Sequence, residues 1–183
     1  VAVTGHVAAL VLALLACGAC HAQVIDVARS RIDFDVHTRI GSSVRGRFPV
    51  FEGRVDTLPD GHRQVRLRLS TRDLEVGGST RYTRLARGPQ LFDAERHPVI
   101  EFVSEPFAPE LVHHGGTLAG RLRMRGIERT ERFELQPAAC ERAGHDCPIL
   151  ATGRVSRDDY GLDGWRWALA DRVRFLLNVR FAD

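Results

Sequence analysis

From Val24 onward, apolar and polar residues alternate along most of the chain. Ile32, Phe34 and Val36 share one parity, while Asp33, Asp35 and His37 share the other. Val44, Gly46, Phe48 and Val50 continue the row, and Val65, Leu67 and Leu69 stand opposite Arg66 and Arg68. Leu118, Gly120, Leu122 and Met124 oppose Arg121, Arg123 and Arg125; Ile127, Phe133 and Leu135 oppose Glu128, Thr130, Arg132 and Glu134. Ile149, Ala151, Gly153 and Val155 form another row. In the last stretch Val173, Phe175, Leu177, Val179 and Phe181 are set against Arg174, Asn178 and Arg180. A period of two sends alternate side chains to opposite faces of a strand, so the pattern predicts about eight strands with one apolar face each. Val65, Leu67, Leu69, Leu122, Val173, Phe175, Leu177 and Val179 should point inward, with Arg66, Arg68, Arg121, Arg123 and Arg174 in solvent. A slip of one residue would bury several guanidinium groups, so the register is well specified.

Strands this short and closely spaced leave no room for crossover helices. The expected class is all-β, with antiparallel neighbours closed into a barrel or folded into a sandwich. A small barrel is either filled by its side chains or holds one ligand. Gly46, Gly120, Ala151 and Gly153 lie on the apolar parity, where they either leave room or mark bends and bulges. The sequence alone supports both.

One segment, residues 79–102, breaks the alternation. Tyr82, Leu85 and Ala86 follow at spacings of three and four, which predicts a short helix over Thr80–Arg87, stopped by Gly88-Pro89. A second turn, Phe92-Asp93-Ala94, precedes His97-Pro98, where the chain becomes extended again. This excursion is either a cover over one mouth of the strand assembly or an ordinary connection.

Residues 7–16 are an uninterrupted apolar run, followed by small residues up to Ala22, and Cys20-His21-Ala22 fits a cleavage site before Gln23. The run is too short to span a bilayer, so residues 1–22 read as a secretory signal peptide and residues 23–183 as a single exported domain. The leader carries His6 but no arginine. Cys17-Gly18-Ala19-Cys20 has C-x-x-C spacing, but its place in the leader discounts a redox role. Leu14-Leu15-Ala16-Cys17 has the form of a lipoprotein box; cleavage after Ala22 is favoured because it leaves an even pair, Cys140 and Cys147. In an oxidising compartment that pair should form a disulfide.

Composition narrows the chemistry. All 26 basic residues are arginine, so a P-loop lysine, a Schiff-base lysine and a Ser-x-x-Lys pair are excluded. A net charge of +3 spread over alternating strands is a solvated surface, not a nucleic-acid stripe. G-x-S-x-G, H-E-x-x-H and G-x-G-x-x-G are all absent, so no catalytic residue and no enzyme activity is expected. His113-His114 reads as a loop pair beside Gly115-Gly116 rather than a metal site. Asp158, Asp159 and Asp163 lie near Arg154, Arg157 and Arg166, which predicts surface pairing or turns. Trp165 and Trp167 share one face of what reads as an extended segment, at the mouth or in the core.

Larger blocks of the sequence carry a resemblance. They are Val24-Ile25-Asp26 with Arg31-Ile32-Asp33-Phe34, Val44-Arg45-Gly46-Arg47-Phe48 and Phe51-Glu52-Gly53. Leu91-Phe92-Asp93-Ala94 through His97-Pro98-Val99-Ile100-Glu101-Phe102 follows, then Gly120-Arg121-Leu122-Arg123-Met124-Arg125-Gly126-Ile127. Val155-Ser156-Arg157-Asp158-Asp159-Tyr160-Gly161-Leu162 and Asp171-Arg172-Val173 complete the set. In this order, over residues 24–181, the chain resembles the YceI-like family of periplasmic, lipocalin-like proteins. The resemblance implies an eight-stranded antiparallel barrel with a short helical cover, holding an isoprenoid-type amphiphile such as a polyprenyl chain or quinone. Leu85, Gly88 and Gln90 depart from the family's usual His, Ser and Asp in the cover, and the segment holding Cys140 and Cys147 is added. The expected lining is Phe34, Phe48, Leu67, Phe102, Leu122, Met124, Phe175 and Leu177, reached past residues 80–93. No cofactor is expected beyond the bound polyprenyl lipid or quinone. Expected partners are that lipid, a transient membrane contact and a second copy in a homodimer, with no nucleic acid. The alternatives are a filled barrel acting as a stress-related partner of a membrane protein, and an uncharacterised barrel enzyme.

Overall fold

The computed structural model describes residues 22–183. The expected signal peptide lies outside the described residues, apart from Ala22, which begins the first strand. The strands are β1 (Ala22–Val24), β2 (Arg31–Thr38), β3 (Ser43–Arg47), β4 (Phe51–Thr57), β5 (Arg63–Ser70) and β6 (Glu75–Val76). They continue with β7 (Val99–Ser104), β8 (Gly116–Met124), β9 (Ile127–Leu135), β10 (Ile149–Ser156) and β11 (Leu169–Val179). All belong to one sheet, in the order β1-β4-β5-β7-β8-β9-β10-β11-β2-β3-β6.

The two ends of that order meet in the chain itself. β3 pairs with β2 and β6, while β4, only three residues further on, pairs with β5. β3–β4 is thus one strand bent at residues 48–50, and β5–β6 is one strand bent at residues 71–74. With each bent strand counted once and the short β1 set aside, eight antiparallel strands follow one another around a curled sheet, from β2 back to β11. This is the expected lipocalin-like architecture; the additional segments come from the bends. Pro49 explains the first bend, because it has no N–H for the ladder. Parity changes across it: Gly46 and Phe48 face in, and then Phe51 and Val55 do. Val50, expected on the inward row, is therefore 51% exposed.

Elsewhere the register is the one the alternation specifies. Leu67, Leu69, Leu122 and Phe175 are buried, while Val65, Val173, Leu177 and Val179 pack half-buried against the same core. Arg66, Arg68, Arg121, Arg123 and Arg174 are exposed. Ile127 departs from its row: it is 38% exposed, because β10 pairs with β9 only along Phe133, Glu134 and Leu135. Outward arginines pair across strands, as Arg68 does with Glu52 at 2.8 Å and Glu101 at 3.1 Å; exposed pairs of this kind contribute little each.

The inward glycines are occupied rather than empty, and they sit in register rather than in bulges. Gly46 is the register partner of Phe34, and Gly153 of Phe133. A Cβ on Gly46 would lie 2.3 Å from the Phe34 ring, and one on Gly153 would lie 2.6 Å from the Phe133 ring. A Cβ on Gly120 would meet the Phe102 ring at 2.5 Å and the Ser104 backbone at 2.7 Å. Each missing side chain seats a phenylalanine of a neighbouring strand. Gly120→Val should therefore cost about 1–3 kcal/mol through overpacking, read as a shift of the urea midpoint at constant slope. An unchanged midpoint would mean that Phe102 does not occupy that seat.

These rings fill the middle of the barrel. Phe48 lies 5.3 Å from Phe34, 6.0 Å from Phe92 and 6.4 Å from Phe175, centroid to centroid, and Phe102 lies 5.0 Å from Phe133. Both ends are covered. Helix α1 (Thr80–Arg87) lies over one end, and the single-turn helix α2 (Leu111–His114) lies over the other beside a disulfide loop. His113-His114 is thus the end of a helical turn, not a loop pair, and no cluster of metal-ligating side chains occurs among the described residues. Cys140 and Cys147 are bonded, as expected. Closing so short a loop should stabilise the fold by about 2–3 kcal/mol. Replacing both cysteines by alanine should lower the unfolding free energy by that amount, and an unchanged urea midpoint would contradict it.

Candidate functional site

The site is built around α1. Ser79 caps it, accepting a hydrogen bond from the Tyr82 N–H, and Arg84 and Arg87 sit in its last turn, where positive charge complements the helix dipole. Two contacts hold it to the strands: Thr83 Oγ1 accepts from the Val76 N–H at 2.9 Å, and Arg87 Nε donates to Leu74 O at 3.0 Å. Tyr82, Leu85 and Ala86, the predicted face, turn toward the barrel end. Leu91 and the buried Phe92 follow them over the same opening.

The opposite wall is a turn at residues 161–168, so Trp165 and Trp167 are not on an extended segment. Trp165 adopts the left-handed conformation at φ 64°, and its carbonyl accepts from the N–H groups of Ala168 and Leu169 at 2.9 Å each. This curl, rather than a shared strand face, brings the two indole rings to 5.6 Å. Gly164 docks the turn on the α1 side, donating its N–H to Gln90 O at 3.1 Å; a Cβ there would fall 2.3 Å from that oxygen.

Arg157 holds the turn from inside. It was expected on the surface, yet it is 4% exposed, because it continues the inward parity of Gly153 and Val155. Nη1 donates to Ala170 O at 3.1 Å, and Nη2 donates to Leu162 O at 2.8 Å and to Gly164 O. Burial draws its pKa below the ordinary guanidinium value, opposed by the nearby Asp158 and Asp171. Arg166, in contrast, pairs on the surface with Asp158 at 3.2 Å, as expected. Beside it, Tyr160 is wholly buried and donates to Glu131 Oε1 at 2.9 Å. Burial first, and that bond second, hold its phenol well above the ordinary range.

Together these elements enclose a cavity of about 300 Å³, lined by Phe34, Val36, Val44, Val76, Leu85, Leu91, Phe92, Leu162, Leu169 and Val173, with Thr38, Tyr82, Arg157 and the two tryptophans. Tyr82 is 55% and Trp167 76% exposed, so the cavity reaches the surface between α1 and the turn. A second cavity of about 250 Å³ lies at the far end, under α2 and the disulfide loop, with Val65, Leu118, Leu135, Val179 and Phe181 in its wall. Between them, Leu67, Phe102, Leu122 and Phe175 surround a void of about 40 Å³. Of the expected lining, Phe34 stands at the α1 cavity, while Leu67 reaches both the waist void and the far cavity. Phe48 and Met124 are buried in the core, and Leu177 packs half-buried against it. The barrel is neither hollow nor filled; it is two chambers with an aromatic waist.

The model of the YceI-like domain matches residues 23–181. The chain belongs to the YceI-like family. Comparison with curated proteins finds no match. Among solved structures, BcnA of Burkholderia cenocepacia is similar over 87% of this chain and 99% of its own, at 19% identity and a TM-score of 0.70. A domain from Saccharophagus degradans, described as polyisoprenoid-binding and implicated in plant cell wall breakdown, is similar over 89% and 99%, at 16% identity and a TM-score of 0.63. A Campylobacter jejuni YceI protein is similar over 75% and 84%, at 13% identity and a TM-score of 0.57. At such identities the likeness is one of fold. In this YceI-like chain the three departures in the cover are accounted for locally. Leu85 lines the cavity, the Gly88 N–H closes α1 on Leu85 O, and the Gln90 carbonyl receives Gly164.

Proposed function

We propose that this protein is an exported carrier that holds the chain of an isoprenoid-type amphiphile, a polyprenyl lipid or quinone, in the chamber beneath α1. The observation that carries the reading is that chamber: its wall is almost wholly apolar, and it opens at the surface between Tyr82 and Trp167. Its volume of about 300 Å³ lies at the lower end of ligand sites, which suits part of a chain rather than a whole long one. Burying about ten carbons would contribute roughly 8 kcal/mol gross, of which ordering and lost translation consume much. The polyisoprenoid-binding description of the Saccharophagus degradans neighbour and the signal-like leader support the same reading. Loading from a bilayer would bring Tyr82, Trp167 and the 92% exposed Ile40 to the lipid surface, where amphipathic rings are favoured.

Mass spectrometry of an organic extract of the purified protein should show a prenyl-chain lipid. Delipidated protein titrated with geranylgeraniol should then show a saturable change in tryptophan emission, since both indoles border the chamber. A folded protein that takes up no prenyl lipid at tens of micromolar would turn the assignment to a surface role on a membrane partner.

A further inference from the structure

We propose that Arg157 recognises the head of the bound amphiphile, so that the chamber prefers a prenyl chain ending in an anionic group, a phosphate or carboxylate, over the neutral alcohol or quinone. This rests on the carrier reading above and adds to it the class of head group.

Among the described residues, Arg157 is the one formally charged side chain in the chamber wall, and neither an aspartate nor a glutamate contributes. Among the described residues it forms no ion pair, although it is only 4% exposed. The two acids whose charges act on it most also have partners of their own. Asp171 Oδ1 accepts from Ser156 Oγ at 3.1 Å and from the Asp158 N–H at 2.9 Å, and Asp158 pairs with Arg166. The guanidinium has five N–H groups. Three are given to the carbonyls of Ala170, Leu162 and Gly164, which leaves one N–H on Nη1 and the one on Nε without a partner among the described residues. No fully enclosed side-chain nitrogen among the described residues lacks a partner, so Nε is not fully enclosed, and Arg157 stands in the chamber wall. A fixed, desolvated cation with an unused donor favours an anionic oxygen far more than a neutral one. The same bonds that clamp residues 162–170 keep the guanidinium from following a ligand, so the site is preorganised.

The test is a head-group series on one chain length: geranylgeranyl monophosphate, geranylgeranoic acid, geranylgeraniol and a geranylgeranyl benzoquinone. Each is titrated into delipidated wild-type protein below its aggregation threshold and followed by tryptophan emission. The phosphate should bind at least tenfold more tightly than the alcohol, the carboxylate should fall between, and added salt should weaken only the two anions. Arg157→Gln should collapse the ratio of phosphate to alcohol affinity to about one, whatever its effect on the alcohol alone; Arg157→Lys should keep part of the preference. Equal wild-type affinities across the series would overturn the proposal, as would a Gln variant that weakens all four alike, which marks a clamp for the turn and nothing more. If the Gln variant does not fold by circular dichroism, the wild-type series and its salt dependence decide. Uptake of none of the four by folded protein sinks the carrier reading itself, a result distinct from uptake without discrimination.

Discussion

Phe48→Ala should lower the unfolding free energy by about 3–5 kcal/mol, the largest single loss expected in this protein. Phe48 is 1% exposed and touches the rings of Phe34, Phe92 and Phe175, which come from β2, the segment after α1, and β11. Its position just before Pro49 leaves the strand little freedom to close over the hole, so the cavity part of the cost is retained. Urea denaturation at constant slope measures it, and Phe48→Leu should recover much of the loss. A cost below about 1 kcal/mol would mean that the aromatic waist does not carry the core.

Val44→Trp should abolish ligand uptake with little change in stability. Val44 is a half-buried residue of β3 that lines the α1 chamber, so an indole there projects into open space rather than into packed atoms. Filling the space needed by the chain should weaken geranylgeraniol at least about 100-fold, equivalent to roughly 2.7 kcal/mol. The control is the urea midpoint, which should stay close to wild type. Retained binding in a folded Val44→Trp protein would move the ligand site away from α1, and the far chamber under the disulfide loop would be the place to look next.

Much of this architecture is legible in the sequence because strand parity is a strong constraint. Arg66 and Arg68 could not be turned inward without burying charge, so β5 had one admissible register, and the same holds for Arg121 and Arg123 on β8. The α1 helix is legible because Tyr82, Leu85 and Ala86 break the period between a serine cap and Gly88-Pro89. What parity cannot see is an extra residue or a curl. It carried the inward row through Pro49 to Val50, and it treated the turn around Trp165 as extended. It also read glycines as space, because nothing in one strand reveals which ring of its neighbour will fill the gap. Arg157 was hidden differently: three nearby aspartates suggested a surface network, and only the fold shows Asp158 paired with Arg166 while Arg157 is buried against backbone carbonyls.

The closure of the sheet has a kinetic consequence. The seam is the pairing of β11 with β2, where Arg174 and Asp35 stand 139 positions apart in the chain yet 2.8 Å apart in space. Ile25 and Phe181, near the two ends of the described chain, form a further bridge. No nascent or truncated chain lacking β11 can complete the ring; until then β2 and β10 present bare strand edges that another chain could join. Contacts so distant in sequence place refolding in the slow, millisecond-to-second range typical of β topologies. Of these strands, the last to be synthesised is therefore the one that ends the period of aggregation risk.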